Sequence, residues 1–122
     1  MADIEVILQP DGSIEVVNDF QPVVETEFVH WHFRNHHEEV AKVSVVFDEA
    51  DYFLVAGMPS RSFSRTLCHA DTIYGRAPQG RSFPAVGKGQ VSGIRDKYTI
   101  KTFDDEDGEI ASIDPEIVPI RP

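Results

Sequence analysis

The chain has 122 residues, with 21 acidic side chains against 11 Lys and Arg, a net charge of −10 and 41% hydrophobic residues. That length suits one domain with one core, and that composition excludes wholesale disorder. The acidic balance repels nucleic acid and anionic lipid, so neither is an expected partner, and no run approaches the roughly 18 apolar residues of a membrane span. Met1-Ala-Asp-Ile-Glu5 has neither the basic start nor the apolar stretch of a secretory signal, and the one cysteine, Cys68, cannot close an internal disulfide. The cytoplasm is the expected compartment.

Taken in chain order, Ile4, Val6 and Leu8 alternate with Asp3, Glu5 and Ile7, and Pro10-Asp-Gly-Ser13 supplies turn chemistry before Ile14 and Val16. This is a hairpin signature. Next, Val29, Trp31 and Phe33 fall on one face of a strand and Phe28, His30, His32 and Arg34 on the other, one face core and one face wet. After Asn35-His-His-Glu-Glu39, Val43, Val45 and Phe47 alternate with Lys42, Ser44 and Val46, which predicts a strand paired with the one before it. Over residues 48–97 glycine and proline recur about every five residues, predicting long loops with short strands at 52–56 and 82–86. Residues 60–68 read as either strand or loop. Order returns with strands at 98–103, 109–113 and 117–120, the first two joined by the acidic turn 104–108. No helix is expected. The pattern predicts an all-β chain, a single Greek-key β-sandwich over residues 1–122 with about seven to eight short strands and long central loops.

Val29-His-Trp-His-Phe-Arg-Asn35, Val43-Ser-Val-Val-Phe47, Gly87-Lys-Gly89, Lys97-Tyr-Thr-Ile100, Asp107-Gly108 and Asp114-Pro-Glu-Ile117 follow one another in an order that resembles the cupredoxin-like (plastocyanin-type) sandwiches. Immunoglobulin-like sandwiches share the same general architecture. In the copper-carrying cupredoxin-like members a histidine lies shortly after the Asn-containing strand, and Cys, His and often Met follow in one loop near the C-terminus. Here Tyr98-Thr-Ile-Lys-Thr-Phe103 runs straight into the acidic turn with none of the three. The resemblance therefore implies a sandwich lacking the blue-copper ligand set, and no cofactor is expected. Blue copper needs a thiolate and two imidazoles around one ion. Cys68 and His69 are adjacent, and neighbouring side chains of an extended chain point to opposite faces. Cys68 reads instead as a small buried apolar residue.

Two patterns bear on function. Four of the five histidines, His30, His32, His36 and His37, fall within eight residues. His30 and His32 share a strand face, and His36 or His37 at the strand end could fold over them, two or three such imidazoles with Glu38 or Glu39 holding zinc or copper(II). The plainer reading is a polar strand face. Separately, between Met58 and Arg95 six basic residues stand against the single acid Asp71. These arginines either pair with acidic strands of the same molecule or form a face for an acidic partner, since guanidinium offers a planar fork of donors.

No catalytic residues stand out. The segment around Ser60, Ser62 and Ser64 lacks a Gly-x-Ser-x-Gly elbow, Gly87-Lys-Gly89 is not a P-loop, and residues 104–109 do not follow the EF-hand spacing and read as a solvated hairpin tip. The primary expectation is a non-catalytic interaction module that docks on a protein partner. Arg61, Arg65, Arg76 and Arg81 would supply charge, and Phe63, Tyr74 and Phe83 the apolar anchors. Metal binding by His30, His32 and His36 is the alternative. Exposed edge strands could also pair two copies, although Pro119 and Pro122 would hinder the last edge.

Overall fold

The chain is described here by a computed structural model over residues 2–80 and 95–120. The expected strand at 82–86 and two expected docking residues, Arg81 and Phe83, lie outside the described residues. β1 (Ala2–Leu8) buries Ala2, Ile4, Val6 and Leu8 and turns Asp3, Glu5 and Ile7 outward. Asp11 accepts the backbone N–H of Ser13 at 2.9 Å, Gly12 takes φ 93°, and β2 (Ile14–Val16) returns antiparallel, which is the expected hairpin. β3 (Phe20–Val24) leaves this sheet, and β4 (Phe28–Asn35) rejoins it parallel to β1, with Asp3 opposite His30 and Glu5 opposite His32. β9 (Ala70–Arg76) closes the sheet antiparallel to β4, giving the order β2-β1-β4-β9.

The second sheet runs β3-β12-β10-β5-β8, with β5 (Lys42–Phe47), β8 (Ser62–Thr66), β10 (Asp96–Phe103) and β12 (Glu116–Ile120). One edge of β10 is shared. Its first residues pair with β12, and its second half pairs with β11 (Glu109–Ile113). A small hairpin, β6 (Phe53–Val55) and β7 (Met58–Ser60), turns on Ala56 and Gly57, both in the left-handed region. Such a two-residue turn needs φ > 0 at both positions and matches the strand twist.

The two sheets enclose one core. Trp31, wholly buried on β4, meets Phe47 and Tyr98 of the other sheet edge-on, with centroids 5.9 Å away in each case. Phe47 in turn stacks on Tyr52 at 3.9 Å and on Tyr98 at 4.8 Å. Burial of each such ring contributes about 1.5–3 kcal/mol. Gly75 makes this cluster possible, because a Cβ there would lie 2.8 Å from the Trp31 ring and 2.9 Å from the Tyr52 carbonyl oxygen. Two buried polar atoms, Trp31 Nε1 and the Tyr98 hydroxyl, have no hydrogen-bond partner of good geometry.

The all-β sandwich is the fold class expected, and several details differ. The described residues hold twelve strands, not seven to eight. β4 and β5 do not pair; they lie in different sheets, because the short connection 36–41 crosses the sandwich. The middle is more ordered than its glycines and prolines predict, with β6 to β9 inside residues 53–76. Cys68 is exposed rather than buried, since it follows β8 in the connection to β9 while the preceding Leu67 takes the inward position. No helix occurs among the described residues, so none is long and apolar enough to cross a membrane.

Candidate metal centre

The outer face of the first sheet carries the chemistry. Because Val29, Trp31 and Phe33 must face the core, His30 and His32 face away from it, and strand alternation in β1 puts Asp3 on the same side. The parallel register then sets Asp3 beside both imidazoles. His32 Nε2 lies 2.8 Å from Asp3 Oδ1 and His30 Nδ1 lies 3.6 Å from the same oxygen. One ligand atom from each of Asp3, His30 and His32 falls within 4.8 Å of the others. Donors around a tetrahedral ion with bonds of about 2.0–2.1 Å stand roughly 3.3 Å apart, so small side-chain movements suffice to close this set on an ion.

The neighbours of the three donors orient them. Thr72 Oγ1 on β9 lies 3.1 Å from His32 Nδ1. In the metal-free chain Nε2–H donates to Asp3 at 2.8 Å and Nδ1 accepts from the Thr72 hydroxyl; an ion taken up at Nε2 displaces that proton, and the neutral ring then carries its proton on Nδ1, where Thr72 Oγ1 accepts it. Tyr74 on β9 packs its ring edge-on against His30 at 4.8 Å. Beyond the histidines, Arg34 donates from Nε to Glu5 at 2.7 Å, so this longer pair is satisfied without the cluster. The hydrogen bond from His32 holds the exposed Asp3 carboxyl below its ordinary pKa, which keeps it anionic and ready to bind a cation.

His36 is not brought to this site. Four residues past His32, it sits about 13 Å farther along the chain. Its backbone N–H donates to the Leu8 carbonyl at 2.9 Å, and its ring lies 6.1 Å from that of His69. His37 serves the turn, its Nδ1 accepting the Glu39 N–H at 3.1 Å, while Asn35 accepts the His37 N–H at 3.0 Å and donates to the Val40 carbonyl at 3.0 Å. Glu38 and Glu39 stay at that far end beside His36 and His37. Asp3 and Thr72, in contrast, are not among the site residues expected from the sequence. The outward stripe of β1 was visible there, whereas nothing local in the sequence gives the register that joins it to β4.

The described arginines of the central segment engage the molecule itself. Arg61 donates to the Asp48 carbonyl at 3.0 Å and stands 4.0 Å from Asp51. Arg65 bridges β8 to β9, bonding Asp71 at 3.1 Å and the Thr72 carbonyl at 2.7 Å. Together with Asp71, which accepts the Thr72 N–H at 2.8 Å, it covers backbone groups on the free edge of β9 and so blunts that edge against foreign strands. Arg76 lies over the Phe28 ring and donates to the Thr26 carbonyl. Phe63 is half-buried against the core, 5.6 Å from Phe53, whereas Tyr74 is 62% exposed. In the acidic turn, Asp104 accepts the backbone N–H groups of Glu106 and Gly108, and Asp107 pairs with Lys42. Its carboxylates thus hold a hairpin tip.

No protein-family model matches the chain, and no curated protein matches it significantly. Among solved structures, one described as a multicopper oxidase is similar with a TM-score of 0.43 and 15% identity, over 96% of this chain and 42% of that one. This chain thus spans less than half of that protein's length, and the oxidase activity stays with that protein.

Proposed function

We propose that the protein binds a borderline divalent metal ion, of the zinc or copper(II) kind, through Asp3, His30 and His32. The observation that carries the proposal is the convergence of two imidazoles and one carboxylate from two strands onto one point of an open sheet face. Imidazole and carboxylate suit these ions, and the set contains no thiolate, which sets it apart from blue copper. The role proposed is binding rather than catalysis, in a cytoplasmic setting. The test is a competition titration with a chromophoric chelator. One site per chain or per chain pair tighter than micromolar is expected, lost in His30→Ala/His32→Ala; no site tighter than micromolar in the unaltered protein would remove the proposal.

Docking on a protein partner is the second reading. It is favoured by exposed apolar side chains on the β6–β7 hairpin, Leu54 at 71% and Met58 at 68%, and by Tyr74. Because Arg65 joins β8 to β9, charge reversal there would disturb the fold as well as any docking face. The cleaner probe is Leu54→Ser/Met58→Ser, which should abolish capture of a partner at unchanged melting temperature. Capture undiminished in that variant and in Tyr74→Ser would remove the reading.

A further inference from the structure

We infer that the ion at Asp3, His30 and His32 is shared by two copies of this chain, which pack the outer faces of their β2-β1-β4-β9 sheets together around it. The inference rests on the metal reading above. Three donors from one open face leave at least one position of a zinc or copper(II) ion for water or for a ligand from outside the chain, and a symmetric four-coordinate site takes two donors from each of two copies. Among the described residues no further His, Cys, Asp or Glu joins the three. The donors stand on an outward face, so the vacant positions of an ion held there point away from the chain. A second copy is able to supply the same donor types from the same place.

The rest of the face suits a partner with that surface. Phe28, two residues before His30, is 58% exposed, and Tyr74, edge-on to His30, is 62% exposed. At one end of the face Glu15 on β2 and Arg34 on β4 stand at the height of Ile7, with Arg34 bonded to Glu5 of its own chain. A twofold axis along the strands between β1 and β4 brings Arg34 of each copy near Glu15 of the other. It also brings the Asp3 column of one over the histidine column of its mate. That is the self-complementarity an isologous contact requires. The chain's charge of −10 opposes pairing, so the bound cation decides whether the pair forms.

The experiment is light scattering coupled to size exclusion on the full chain, with zinc content measured on the eluted peak, in EDTA and after zinc addition. A monomer in EDTA and a dimer holding one zinc per two chains is expected, with both lost in His30→Ala/His32→Ala. Phe28→Glu, which touches none of the donors, is expected to keep zinc binding but stay monomeric. One zinc per monomer, two per dimer, or a dimer that survives EDTA would overturn the shared ion while leaving the metal reading intact. No zinc bound at all would overturn both.

Discussion

Replacing Gly75 by alanine tests how the core positions β9, and with β9 the Thr72 and Tyr74 side chains at the candidate site. The glycine has ordinary backbone angles, so the effect comes from space alone. An added Cβ would lie 2.8 Å from Trp31 Cζ3, 2.9 Å from the Tyr52 carbonyl oxygen and 3.3 Å from Phe53 Cε1. Two of these contacts are below any distance a real Cβ tolerates, and neither neighbour yields easily. Trp31 is wholly buried among Phe47, Tyr52, Phe53 and Tyr98, and the Tyr52 carbonyl accepts the Arg76 N–H at 2.8 Å. Overpacking of this kind costs about 1–3 kcal/mol, and a lost backbone hydrogen bond adds about 1. For a chain of 122 residues each kcal/mol moves the melting temperature by roughly 3–5 °C, so Gly75→Ala should melt about 6–20 °C lower. Thermal and urea unfolding followed by Trp31 fluorescence measure this. A variant as stable as the parent would refute the packing of β9 against Trp31.

Three other predictions rest on the site and the core. Thr72→Val keeps the shape of β9 but removes the hydroxyl that faces His32 Nδ1; zinc affinity should fall about 10–100-fold with little change in stability, measured by chelator competition. Tyr98→Phe removes a buried hydroxyl without a good partner, so stability at neutral pH should hold or rise; a loss above about 1 kcal/mol would show a bond there. Burial pushes the Tyr98 phenol well above its ordinary pKa of 10.0, the Trp31 indole opposing this in small part. The folded chain must therefore keep the phenol neutral while the unfolded chain ionises it, so stability falls above about pH 10 and Tyr98→Phe should lessen that fall. Asp3, with its pKa lowered below 3.8 by His32, has the opposite sign. Its contribution is present above that value and lost as pH falls through the lowered one, so the difference between wild type and Asp3→Asn in urea midpoint should shrink below about pH 4.

Periodicity made the faces of the strands legible but not their partners. Val29, Trp31 and Phe33, or Val43, Val45 and Phe47, reveal an inward face because burial on one side imposes a period of two. The same pattern is satisfied whichever sheet the strand joins, and the usual pairing of consecutive strands fails at residues 36–41, where the chain changes sheets. β9 was illegible for a different reason. Its inward positions are Asp71, Ile73 and Gly75, opposite Phe33, Trp31 and Val29, so alternation shows only one large apolar residue. The large ring it packs on belongs to Trp31, and the small residue that accommodates the ring looks like a loop glycine until the ring is seen.

The candidate site divides in the same way. His30 and His32 were legible as a pair because two residues on one strand face are neighbours whatever the fold. The third donor was not, because Asp3 reaches them through a parallel pairing that no turn specifies, across 27 positions from Asp3 to His30. Proximity in sequence pointed to His36 instead, yet a residue beyond the strand end continues away from the pair, and the Leu8 carbonyl that fixes its backbone holds it there. For a site on a sheet face, the residues beside a donor come from the neighbouring strands at the same height. The strand register therefore decides the ligand set, and a single strand's sequence supplies at most the ligands two residues apart.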